Sequence, residues 1–247
     1  MILSMFISIA HNRGRCYTAA MKVSEYLNRY SSLVNAVVLA SASALLLYLL
    51  RSVATGSADY SFMAWNLVLS LAALAVAAIG ALLVISKKRL LVGVAVFIIW
   101  LLLLPNTFYM LTDFVHVADS GAINYLFDIV LIGCFAMNGF VHGILSLHIV
   151  HVTLRRFLSP LKSWTIVLLC ILASSFAVDM GRYLRWNSWD VLTRPAALLF
   201  DVSDVLLNPA QYNRSLLITG VFFVTISSLY AVARQAAAVQ WGNHAKP

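Results

Sequence analysis

Six stretches of this chain, residues 32–50, 64–85, 90–111, 125–150, 164–180 and 215–233, run apolar for far longer than any strand and carry almost no charge. Each is long enough, at ~1.5 Å of rise per helical residue, to cross a hydrocarbon core of ~30 Å. None alternates with a period of two, so helices are the reading that satisfies every backbone N–H and C=O in lipid. Composition agrees: 62% of residues are hydrophobic and only 11% charged, too few charges to clothe a water-facing surface. The expected fold is all-α, a polytopic membrane helix bundle with six transmembrane helices.

Orientation follows from the basic residues. Of 17 lysines and arginines, twelve precede the first span, join spans two to three and four to five, or follow the sixth. The other five, Arg51, Arg182, Arg185, Arg194 and Arg214, fall on the opposite side. The positive-inside rule then places both termini in the cytoplasm. All eight aspartates fall on the outer side, and the one glutamate, Glu25, falls inside. The net charge of +8 is a topological signal with attraction to anionic lipid, not a nucleic-acid footprint. The expected location is the plasma membrane, with membrane lipids as partners, no nucleic acid, and room for an unidentified protein partner.

The organisation reads as one domain: residues 1–30 a cytoplasmic N-terminal segment, 31–234 a single transmembrane domain, 235–247 a cytoplasmic tail. Residues 1–10 are apolar but lack a basic start and a cleavage pattern, which makes a poor signal peptide. Met21 would serve equally well as a start, so residues 1–20 are treated as a mis-assigned extension. Cys16, Cys134 and Cys170 are too scattered for a disulfide framework or a zinc knuckle.

Candidate functional residues are the charges retained at membrane depth, where ionisable groups are costly. The first segment closes span three. Pro105 cannot donate to the carbonyl of Leu101, which with the Asn106 amide makes a polar notch. Beyond it Asp113, His116 and Asp119 recur every three residues, so a helical continuation stacks them on one face. A carboxylate beside an imidazole orients it as a general base, shares a metal, or forms a self-satisfied pair. Three such groups alone do not define a metal set, and none is assigned. Span four adds Asp128, Asn138 and His142 within one ~80° arc, with Gly139 and Gly143 spaced for close helix approach.

The densest segment runs Asp179, Arg182, Arg185, Trp186, Asn187, Asp190. Its arginine forks suit carboxylate or phosphate, and its indoles suit the headgroup layer. One reading is an interfacial anchor with an internal Asp179–Arg182 pair. The other pairs Asp113 or Asp128 across the bundle to Arg182 and leaves Arg185 for an anion. After Pro195, residues 196–207 carry Asp201 and Asp204 on one face, an expected short amphipathic helix on the outer leaflet between spans five and six. The Asn208-Pro209-Ala210 triplet lacks the partner that a water channel would need.

LPNTFYMLTDFVH at 104–116, a span opening near Asp128, and GRYLRWNSWD at 181–190 together resemble an uncharacterised prokaryotic membrane family, the domain of unknown function 1361. The resemblance covers roughly residues 90–208. It implies a multi-pass plasma-membrane protein and carries no activity, cofactor or catalytic assignment. The usual dinucleotide, P-loop, serine-hydrolase, zincin and CxxC patterns are missing from the sequence. Three functions are therefore expected candidates. The first is an outward-facing enzyme on a lipid-borne or phosphate-bearing substrate. Asp113, His116 and Asp128 would be its catalytic groups, and Asn106, Asp179, Arg182, Arg185, Trp186, Asn187 and Asp190 its binding groups. The second is a non-catalytic assembly partner. The third, less supported, is a proton-coupled transporter using the Asp128–His142 stripe.

Overall fold

The structure is a computed structural model that describes residues 23–85, 90–119 and 125–243. Among these, every regular element is helical: α1 (Val23–Thr55), α2 (Ser61–Ile85), α3 (Leu90–Tyr109), a 3-10 segment (Met110–Asp119), α4 (Tyr125–Leu154), α5 (Pro160–Tyr183), the single turn α6 (Asp190–Thr193), α7 (Pro195–Leu207) and α8 (Asn213–Asn243). Among the described residues six helices are long and apolar enough to cross a membrane, α1 to α5 and α8, one for each expected apolar run. Residues 1–20, the basic trio Lys87, Lys88 and Arg89, and Lys246 lie outside the described residues, as do the side chains of Glu25 and Asp119.

Local chemistry sets the helix ends. Gly56 takes φ of 67° just past α1, the left-handed conformation that terminates helices. Ser159 accepts a hydrogen bond from the Lys162 backbone N–H, and Pro160 fills the first position of α5. Span three differs in detail from the sequence expectation. The α-helix passes through Pro105, stops at Tyr109 and tightens into ten residues of 3-10 helix. At three residues per turn, Asp113 and His116 lie one above the other.

Consecutive spans run in opposite directions, so the ends of α1, α3 and α5 gather with the starts of α2 and α4. The helix at the centre is α4: half of its apolar window is buried, against 11% for α1. It packs against α2, α3 and the 3-10 segment, while α5 packs on α3 and α8, and α1 rests chiefly on α4. The approach of α3 to α4 depends on two glycines. A methyl group on Gly139 would meet the Thr107 carbonyl oxygen at 2.5 Å, and one on Gly143 would meet the Thr107 hydroxyl at 2.5 Å. The expected close helix contact is thus present, with α3 as the neighbour. Leu39, Val53, Leu91 and Leu192 stay largely exposed while Arg51, Asp113, Asp128 and Asp179 are buried, the inside-out distribution of a chain solvated by lipid.

Candidate functional site

Charges from four segments, α1, the 3-10 segment, α4 and α5, meet at one end of the bundle. Arg51, in the last turns of α1, donates Nε to Asp128 Oδ1 at 2.8 Å and Nη2 to Oδ2 at 3.4 Å. Both side chains are within 1% of complete burial, so each is the other's substitute for water. Tyr60, between α1 and α2, lies under the guanidinium at 4.2 Å, and its hydroxyl is 3.4 Å from Asp128 Oδ2 and 3.3 Å from the His116 carbonyl oxygen. One phenol proton can serve only one of these acceptors at a time.

The His116 segment links this pair to a second one. Arg182, at the end of α5, donates Nη2 to Asp113 Oδ1 at 2.9 Å and to the Thr112 carbonyl oxygen, and its Nη1 lies 3.2 Å from His116 Nε2. Asn66 of α2 reaches the other Asp113 oxygen at 3.5 Å. Since a guanidinium can only donate, the His116 nitrogen facing it holds the lone pair and the ring proton sits on Nδ1. The Phe62 ring packs edge-on to the imidazole at 5.2 Å. Asp113 is fully buried, whereas the Arg182 side chain keeps 15% exposure and His116 is half-buried. Arg182 Nε is buried with no hydrogen-bond partner, and the Tyr109 ring lies 5.1 Å from the guanidinium.

Arg182 turns to Asp113, and not to Asp179 one turn back on its own helix. Asp179 is buried with Oδ1 unpartnered. Asn106 donates to Ser188, whose hydroxyl in turn donates to the Leu102 carbonyl at 2.6 Å, so the weakened helix around Pro105 is latched by the loop after α5. Gly181 permits this: a methyl there would stand 3.2 Å from Tyr109 and 3.3 Å from the Trp186 carbonyl. Arg185 occupies φ of 58°, the helix-terminating conformation, with its side chain exposed and apart from the centre.

The remaining candidates hold the loop to itself. Trp186 donates Nε1 to Asp201 at 2.8 Å and carries Arg194 on its ring face at 4.8 Å. Asp190 accepts the Asn187 backbone N–H at 2.8 Å, the Thr193 hydroxyl, and Nε and Nη2 of Arg194. The Asn187 N–H, and then Arg194 and Thr193, hold Asp190 below the ordinary carboxylate range. The structure thus brings Asp113, His116, Asp128 and Arg182 together, seats Asn106 and Asp179 beside the same helix ends, and spends Trp186, Asn187 and Asp190 on loop architecture. Sequence reasoning overlooked Arg51, Tyr60 and Asn66.

Deeper in the bundle, His142 lies with Nδ1 2.9 Å from Ser70 and Nε2 3.4 Å from Ser41, and Asn138 donates to the Ala40 and Cys134 carbonyls. Ten residues, ~15 Å of helix, separate Asn138 from Asp128. Buried Leu131, Ile132 and Phe135 fill that interval, so the polar stripe is interrupted. Among the described residues, no three His, Cys, Asp or Glu side chains group closely enough to hold a metal ion.

A family model described as protein of unknown function (DUF1361) matches residues 65–228, which takes in α3, α4, α5 and all the candidate residues except Arg51 and Tyr60. No curated protein and no solved structure matches the chain.

Proposed function

From the premise that this chain belongs to the DUF1361 family of proteins of unknown function, we propose that it is a plasma-membrane protein whose Asp113–Arg182–His116 centre acts as an enzyme on a lipid-borne or phosphate-bearing substrate. In this reading both termini face the cytoplasm, on the strength of the basic-residue count, and the centre faces outward. Helix α7 then lies along the outer leaflet, where its exposed Leu199, Phe200 and Leu207 meet acyl chains.

One observation carries the enzymatic reading: Arg182 is not exhausted by its ion pair. It keeps an unspent Nε–H and residual exposure beside a half-buried imidazole. A phosphate oxygen drawn to that donor would lie on the Nε–Nη2 edge beside Asp113, which holds the guanidinium in place, and the Nε2 lone pair of His116 on the Nη1 side would be the group to take a proton. Asp128 and Arg51 would fix the floor of the centre through Tyr60. Asn106 and the Ser188 latch would hold the 3-10 segment that presents His116.

Native mass spectrometry of the protein purified in mild detergent, beside its Arg182→Lys variant, tests the reading. A phosphate-bearing adduct on the wild type that is lost from Arg182→Lys at unchanged thermal stability supports it, because lysine keeps the charge but not the fork. Identical spectra would count against it.

A second reading, a non-catalytic assembly partner, is favoured by the internal pairing of Asp113 and Asp128, which leaves both carboxylates compensated without any ligand. The transporter reading is weakened by the apolar layer of Leu131, Ile132 and Phe135.

A further inference from the structure

The opposite end of the bundle holds a second cluster that the proposed centre does not use. His151 of α4 is fully buried, with Nδ1 2.8 Å from the Tyr230 hydroxyl and 3.0 Å from Nη1 of Arg234, both on α8. Trp164 of α5 closes the other side, edge-on to His151 at 4.8 Å, and the Arg234 guanidinium lies 5.1 Å from its ring centroid. Because Arg234 can only donate, Nδ1 accepts and the imidazole proton belongs on Nε2. That Nε2 is buried with no hydrogen-bond partner. Arg234 also lies within electrostatic range of His148, and Arg155 within range of His151.

The cluster is rich in donors and poor in acceptors. Among the described residues no carboxylate stands within ion-pair distance of Arg155 or Arg234. The aspartates of the chain sit toward the other end, and the side chain of Glu25 is outside the described set. With no carboxylate beside it among the described residues, a half-buried guanidinium at a membrane helix end is suited to an anion at the membrane surface. A lipid phosphate supplies the charge and several acceptor oxygens, and it already resides at that depth. The Trp164 ring and the His151 nitrogen hold Arg234 in one orientation, which limits the ordering needed on binding.

We propose that the end formed by α4, α5 and α8 is a binding site for the phosphate of an anionic phospholipid, with Arg234 as principal donor and Arg155 at its rim. The site is independent of the reading given to the opposite end.

The full-length protein in nanodiscs of phosphatidylcholine, with and without phosphatidylglycerol, tests this by thermal unfolding and by native mass spectrometry of retained lipid. Phosphatidylglycerol should raise the unfolding temperature and remain bound. Arg234→Gln should cut its retention roughly fivefold, which is ~1 kcal/mol, the scale of one arginine at an anionic surface. Arg155→Gln, which leaves the aromatic wall intact, should act in the same direction, and Arg214→Gln at the other end of α8 should not. Equal retention by wild type, Arg234→Gln and Arg155→Gln would overturn the site. Stabilisation by inorganic phosphate alone, with no lipid retained, would overturn the lipid as its source.

Discussion

Replacing Asp128 with Asn keeps its shape and removes the charge opposite Arg51. The wild-type carboxylate, completely buried, takes two guanidinium N–H groups at 2.8 and 3.4 Å. Two unit charges ~4 Å apart at an effective dielectric of ~20 attract by about 4 kcal/mol. Mutational breakage of buried pairs costs ~3–5 kcal/mol, mostly from the charge left behind. Arg51 has one fallback, Asp59, whose Oδ2 stands 3.9 Å from Nη1 on an exposed side chain. That partner is wet, so it recovers less than ~1 kcal/mol, and the expected loss is about 3 kcal/mol. Arg51→Met alone should cost a similar amount by removing the guanidinium opposite the Asp128 carboxylate. The double variant Arg51→Met with Asp128→Leu leaves no buried charge at this pair and should fall within about 1 kcal/mol of wild type. The assay is unfolding in mixed micelles of rising sodium dodecyl sulfate fraction, read by tryptophan fluorescence. The coupling between the two sites should reach ~3 kcal/mol. Single variants that each cost under ~1 kcal/mol, and that add in the double, would refute the reasoning.

Two further outcomes follow from the same geometry. Gly139→Ala should destabilise the bundle by ~1–3 kcal/mol, since its methyl would need the Thr107 backbone to retreat from 2.5 Å, and the same micelle titration reads the loss. Acid should loosen the loop after α5. Asp190 is held below its ordinary value near 3.8, so its contribution is complete above that value and disappears as pH falls through the depressed folded one. Protection of residues 186–194 from hydrogen exchange should therefore fall in acid for wild type, and Asp190→Asn should show the lower protection already at neutral pH.

The six spans could be read from the sequence because lipid leaves the backbone no alternative to long apolar helices, and hydropathy registers that directly. The Arg182–Asp113 pair was one of two readings, and the choice turned on the 3-10 segment. Tightening after Tyr109 turns Asp113 and the Thr112 carbonyl toward α5, a change in helix type that no residue pattern announces. The polar run from Trp186 to Asp190 makes contacts within its own loop. Short polar side chains in a loop satisfy neighbouring backbone as readily as a ligand. Asp190 does so with Asn187, while Trp186 closes on Asp201, only 15 residues away.

Arg51 escaped notice because it was counted as a topological charge, although α1 carries the pattern that would have exposed it. Ser41, Ala44, Arg51 and, between them, Tyr48 recur at intervals of three or four, a stripe of small and polar residues along one face of the helix. In water that stripe would face solvent; in lipid it must face protein. Ser41, Ala44 and Arg51 are the buried residues of this helix among those described, and they meet α4 at His142, Asn138 and Asp128. Polar contacts therefore flank the apolar packing of Ala44, Leu47 and Tyr48 in attaching α1 to the bundle. The helix lies before the part of the chain that matches the family, yet it delivers the cation opposite Asp128. If α1 separated from α4, Asp128 would keep Tyr60 but lose its guanidinium, and the carboxylate would stand beside the His116 segment without its compensating charge. The attachment of α1 thus sets the electrostatics of the candidate centre as directly as any residue within it.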